Sequence, residues 1–143
     1  MKRRSLLALA SAGATLLATG CATQDIAHYA EQKPVLDLQQ YFNGTLDAYG
    51  VFTDRSGTVV KHFTVLMQCS WTGDEGVLNE DSSYSDGSKQ TRIWRLKKTG
   101  NGRFVGRADD VVGDAQGESR GNAFHWTYTM RLPVDQSVYE VQF

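Results

Sequence analysis

A chain of 143 residues with 41% hydrophobic content holds enough apolar side chain for one domain with one core, and is too short for two. Its 14 Gly and 2 Pro suit a protein of many tight turns. The formal charge is -1; setting aside residues 1 to 20, which carry Lys2, Arg3 and Arg4 but no acid, takes the basic count from 15 to 12 against 16 acidic residues, a net of -4 that argues against nucleic-acid binding.

Residues 1 to 20 join a basic start to an apolar run from Leu6 to Ala18 and small residues before Cys21, the layout of a secretory signal. As a helix that run would be about 20 Å long, short of the roughly 30 Å bilayer core, so a permanent membrane span is not expected. Leu17-Ala18-Thr19-Gly20-Cys21 resembles the lipobox of bacterial lipoproteins, with Ala18 where Leu is usual. That resemblance implies a lipid-modified (palmitate-bearing) Cys21 as the mature N-terminus. Ala22 in place of an Asp implies sorting to the inner leaflet of the outer membrane, with the domain facing the periplasm. Arg3-Arg4 before the apolar run also resembles a twin-arginine signal, although two basic residues there are normal for the general export pathway. A lipid thioether at Cys21 leaves Cys69 without an intramolecular disulfide partner, and its apolar surroundings in sequence suit a buried, inert thiol.

Residues 21 to 33 are polar and without apolar period, and are expected to tether the lipid site to a domain spanning residues 34 to 143. Leu38, Tyr41 and Phe42 are spaced for one or two helical turns, suited to plugging one end of a barrel. From Gly44 the rhythm changes to two. Leu46, Ala48, Gly50 and Phe52 share one face of the first strand; Phe63, Val65, Met67, Cys69 and Trp71 share one face of the second, Val59 to Trp71. Turns at residues 54 to 57, 72 to 76, 85 to 88 and 98 to 102 separate a more polar third strand (Val77 to Tyr84), a fourth (Lys89 to Lys98) and a fifth (Arg103 to Asp109). Gly113 and Gly117 predict a bent or bulged sixth strand ending at Arg120. In the seventh, Phe124, Trp126, Tyr128, Met130 and Leu132 face one way and His125, Thr127, Thr129 and Arg131 the other. Val138 to Phe143 begins an eighth strand without a polar tail, which reads as a domain shortened at its C-terminus.

Eight strands joined by short turns predict an all-β, antiparallel up-and-down meander, forming a lipocalin-like barrel or a strongly curved sheet rather than a Greek-key sandwich. A barrel of this size is either filled by side chains or holds one small apolar ligand. Phe63, Met67, Trp94, Phe104, Phe124, Trp126 and Tyr128 are the residues expected to line such a cavity or to fill it.

Paired carboxylates at Asp109 and Asp110 invite an acid-base reading, but a salt bridge to Arg92 or Arg107, or a turn role, explains them more simply. His28, His62 and His125 show no metal-ligand spacing, and the glycines follow turns rather than a strand-to-helix junction, so neither a metal, a cofactor nor catalysis is expected.

Several segments together resemble a family of proteobacterial lipoproteins that carry a domain of unknown function (family 3833). They are Tyr41-Phe42-Asn43-Gly44, Asp54-Arg55-Ser56-Gly57, Tyr84-Ser85-Asp86-Gly87, Arg92-Ile93-Trp94-Arg95, Ala108 to Gly113 and Gly121-Asn122-Ala123. The resemblance spans nearly all of the mature domain and assigns no chemistry. It implies that the family continues beyond the position of Phe143, which leaves closure of a barrel open. Two roles follow as expectations: a membrane-anchored protein binding a small apolar or amphiphilic ligand, or a non-catalytic structural or protein-interaction module of the envelope.

Overall fold

The computed structural model describes residues 24–134 and 136–143, so the expected signal segment and the lipidation site Cys21 lie outside the described residues. Strands β1 (Gly44–Thr53), β2 (Val59–Thr72), β3 (Glu75–Tyr84), β4 (Lys89–Gly100), β5 (Arg103–Arg107), β6 (Val111–Arg120), β7 (Ala123–Val134) and β8 (Ser137–Gln142) form one antiparallel sheet. Each strand pairs with its neighbours in sequence, as a meander requires, and β1 and β8 are the two edges. Of the two expected architectures the structure is the second: a single curled sheet, a half-barrel, all-β and antiparallel.

The turns are made by the chemistry that marks them. Asp54 Oδ1 accepts from the backbone N–H groups of Ser56 (2.8 Å) and Thr58 (3.0 Å), and Asp86 Oδ1 accepts from Ser88 N–H (3.0 Å). The turn carboxylate of Asp86 is further held by Lys61 Nζ at 2.6 Å, and these hydrogen bonds push its pKa well below the usual carboxylate range.

Between turns the two-residue alternation decides which side chains meet. Met67 and Cys69 on β2, Leu78 on β3, Trp94 and Leu96 on β4, and Val111 and Ala115 on β6 make the concave core, with Trp126 and Tyr128 of β7 packed against it. Two glycines allow the curl: a Cβ at Gly106 or at Gly117 would lie 2.6 Å from the Trp126 ring, so β5 and β6 pass directly beneath that indole. The sixth strand bends as its glycines predict. Its register with β7 shifts between Val112 and Gln116, and Gly113 sits there at φ +70°, which favours glycine.

The expected fifth strand is shorter than its apolar pattern suggested. It stops at Arg107, and Asp109 and Asp110 form the turn closed by the Val111 N–H to Ala108 C=O bond (3.1 Å). The helical turn α1 (Leu38–Tyr41) is capped by Asp37, which accepts from Gln39 N–H (3.0 Å) and Gln40 N–H (3.2 Å). Trp71 Nε1 donates to Phe42 C=O (2.8 Å) and Gln39 Nε2 to Gly73 C=O (2.8 Å), seating α1 over one end of the concave face with Leu38 buried. Part of the segment expected as a tether also folds, Ile26–Tyr29 forming a 3-10 turn; just beyond that segment, Leu36 N–H donates to Gly121 C=O (2.8 Å) at the β6–β7 turn.

Candidate functional site

Because the sheet curls without closing, the apolar side chains of β2, β3 and β4 face those of β7 across a gap. The gap is a cavity of about 310 Å3. Met67, Leu78, Trp94 and Leu96 line it from one side, Phe124, Trp126 and Tyr128 from the other, and Leu38 and Phe42 from the α1 end. Pockets that hold small molecules run from about 300 to 1,000 Å3, so the space is sufficient for one modest ligand. Its aromatic wall is rigid: Trp94 meets Trp126 (5.4 Å between ring centroids) and Tyr128 (5.2 Å) edge to face, and Phe124 stacks on Trp126 (5.6 Å).

Five of the seven residues expected to line a ligand space, Met67, Trp94, Phe124, Trp126 and Tyr128, surround this cavity. Phe63 and Phe104 lie elsewhere. Phe63 packs between Phe52 (5.1 Å) and Tyr84 (5.9 Å), and four strand residues, about 13 Å, separate it from Met67. Phe104 is buried between Trp71 (6.3 Å) and Phe124 (5.8 Å), behind the cavity wall. Alternation assigns a side chain to a face of the sheet; it does not say how far along the strand a cavity reaches.

Two residues at the cavity are charged, and the sequence reading passed over both as site residues. Glu80 and Arg92 are direct cross-strand partners on β3 and β4. Each is in phase with the core of its own strand, Glu80 with Leu78, Arg92 with Trp94 and Leu96. That parity was available in the sequence. Charge at a position in phase with the core reads as a solvated face unless a partner is known, and the partner of Arg92, Asp110, stands 18 residues away.

Arg92 is fixed from behind by Asp110. Its Nε lies 3.1 and 3.0 Å from the two carboxylate oxygens and its Nη2 is 2.7 Å from Oδ2, a two-pronged pair, while Nη2 also lies 2.9 Å from Met130 Sδ. Asp110 can reach because it stands in a turn, and its neighbour Asp109 is exposed. The other arginine considered for this pair, Arg107, is bound to Asp114 instead. Glu80 is held more loosely. Its ion pair among the described residues is the contact of Oε2 with Arg92 Nη1 at 4.0 Å, and its side chain is only 19% exposed. Burial raises the Glu80 pKa; the Arg92 charge opposes the rise, that of Asp110 adds to it, and a hydrogen bond from the Trp94 side chain opposes it more weakly. Burial likewise pushes up the Tyr128 hydroxyl across the gap and the Cys69 thiol in the core.

A glutamate whose folded pKa is raised contributes its full stability below its unfolded value, about 4.3, and loses it as pH rises through the folded value. Glu80→Gln is therefore expected to raise the melting temperature at neutral pH, with the gain shrinking toward zero near pH 4. Thermal unfolding of both proteins across that range checks it, and a gain that grows on acidification would contradict it.

Among the described residues no group of three or more His, Cys, Asp or Glu side chains is arranged to hold a metal ion. His62 and His125 are exposed on the outer face. A family model described as a protein of unknown function (DUF3833) matches residues 15–143. No curated protein and no solved structure matches the chain.

Proposed function

The chain belongs to the DUF3833 family of proteins of unknown function, and within that frame we propose that it is a lipoprotein of the outer membrane, facing the periplasm, that holds a small apolar or amphiphilic molecule in its half-barrel. One observation carries the binding part: the concave face leaves an aromatic-walled space of ligand size between its facing side chains. The aromatic wall of that space is apolar surface that a bound apolar molecule would remove from water. The lipobox-like segment ending at Cys21 supports the anchored part. Each buried methylene of an acyl chain contributes about 0.8 kcal/mol of membrane affinity, so three acyl chains at Cys21 would hold the domain firmly at a bilayer.

Leu78 pairs with Trp94 across β3 and β4 and lines the cavity, so the larger side chain of Leu78→Phe takes up part of the space, at an expected cost of about 1–3 kcal/mol in repacking. Native mass spectrometry of protein purified without detergent is expected to show an added mass on the wild type and its loss from Leu78→Phe. An adduct on both proteins, or on neither, counts against the cavity as a binding site. For the anchor, cells fed labelled palmitate are expected to label the wild type and not Cys21→Ala; persistent labelling places the lipid elsewhere.

A further inference from the structure

The charges at the cavity do not cancel. Arg92 brings one positive charge, and Asp110, on the side away from the cavity, already engages the Nε and Nη2 edge of the guanidinium. Glu80 remains, facing the cavity; among the described residues its ion contact is Arg92 at 4.0 Å, with the Trp94 side chain as a further polar neighbour. Two carboxylates thus share one cation, and the surplus negative charge sits where the apolar wall meets the polar end. A carboxylate beside a low-dielectric wall, with one cation at 4.0 Å and the Trp94 side chain as its other polar neighbour, retains acceptor capacity for a further donor. A ligand whose head group donates to Glu80 supplies what it lacks. A ligand ending in a carboxylate or phosphate meets Glu80 as a like charge, and Arg92 has no uncompensated charge to offer it.

On the basis of the ligand-binding reading above, we propose that the half-barrel selects amphiphiles by head group, taking an alkyl chain that ends in an ammonium against Glu80 and rejecting chains that end in a carboxylate. The tail lies against Trp94, Phe124 and Trp126, toward Leu38 and Phe42. Tyr128, which faces Glu80 and Arg92 from β7, adds a hydroxyl at the same end and no charge at neutral pH.

Dodecylamine, dodecanol and dodecanoate share one tail and differ at the head, and binding of each can be followed by the fluorescence of the indoles that line the cavity. The ammonium is expected to bind the wild type about tenfold or more tightly than the carboxylate, with the alcohol between. Glu80→Gln is expected to weaken the ammonium about tenfold, strengthen the carboxylate and leave the alcohol unchanged. Because an acidic domain attracts any cation, Asp47→Asn removes one charge from the exposed outer face and is expected to preserve the ranking. Equal or tighter binding of the carboxylate by the wild type overturns the head-group preference while leaving the ligand site standing, as does a ranking that Glu80→Gln does not change or that Asp47→Asn alters equally. Failure of all three probes to bind overturns the ligand site and the preference together.

Discussion

Trp94→Ala is expected to lower stability by about 3 kcal/mol, near the bottom of the range for deleting a large buried aromatic, because part of the ring already borders open space. Trp94 is 5% exposed at the centre of β4 and is the ring on which Trp126 and Tyr128 converge. Truncation removes both edge-to-face contacts and merges its volume with the cavity, leaving the β4 and β7 walls without the group that holds them apart. A domain of this size has only about 5–15 kcal/mol in hand, so the urea midpoint should fall markedly. Ile93, the next residue, is 43% exposed on the convex face. Ile93→Ala is expected to cost less than about 1 kcal/mol. Denaturation of the two variants in parallel checks the inside-outside assignment of β4, and equal losses would refute it.

Arg92→Met should be nearly as damaging for a different reason. The substitution keeps the apolar stem and removes the cation that Asp110 and Glu80 share, stranding two carboxylates whose side chains are 28% and 19% exposed. Leaving a fully buried charge unpaired costs about 3–5 kcal/mol; residual solvent contact at these groups reduces the expectation to about 2–3 kcal/mol. The deficit should depend on pH in a defined direction. Burial already raises the Glu80 pKa and Arg92 opposes that rise, so without Arg92 the Glu80 value moves further up, and the variant recovers stability as pH falls and loses it as pH rises through that value. Adding Asp110→Asn should restore most of the loss at neutral pH. A variant as stable as the wild type at pH 7, or one that weakens further on acidification, would show that the pair is not what holds this corner.

The legibility of the fold varied with the range of the interaction that sets it. Strands, turns and inward faces follow from residues close in sequence. Phe63, Met67 and Trp71 fall on one side of β2 because their spacing leaves no other choice, and Asp54 and Asp86 announce their turns through hydrogen bonds that span two to four residues. Closure is a different matter. Whether eight strands meet as a barrel depends on the sum of their registers, bulges and twists, and shifts such as the one between Val112 and Gln116 leave only weak marks in composition. The binding space was half legible for the same reason: Met67, Trp94, Phe124, Trp126 and Tyr128 were identified by face, whereas Phe63 and Phe104 share that face and stand outside the cavity. Arg92 and Asp110 were suggested as an ion pair from their charges alone, yet the reach of Asp110 to Arg92 depends on β5 ending two residues earlier than the apolar pattern implied, which places Asp110 in the turn.

Gly106 and Gly117 carry β5 and β6 so close beneath the Trp126 indole that a methyl group at either position has to push the ring aside. Neither glycine borders the cavity. The contour of the aromatic wall is therefore governed from behind, by two positions whose only contribution is the side chain they lack.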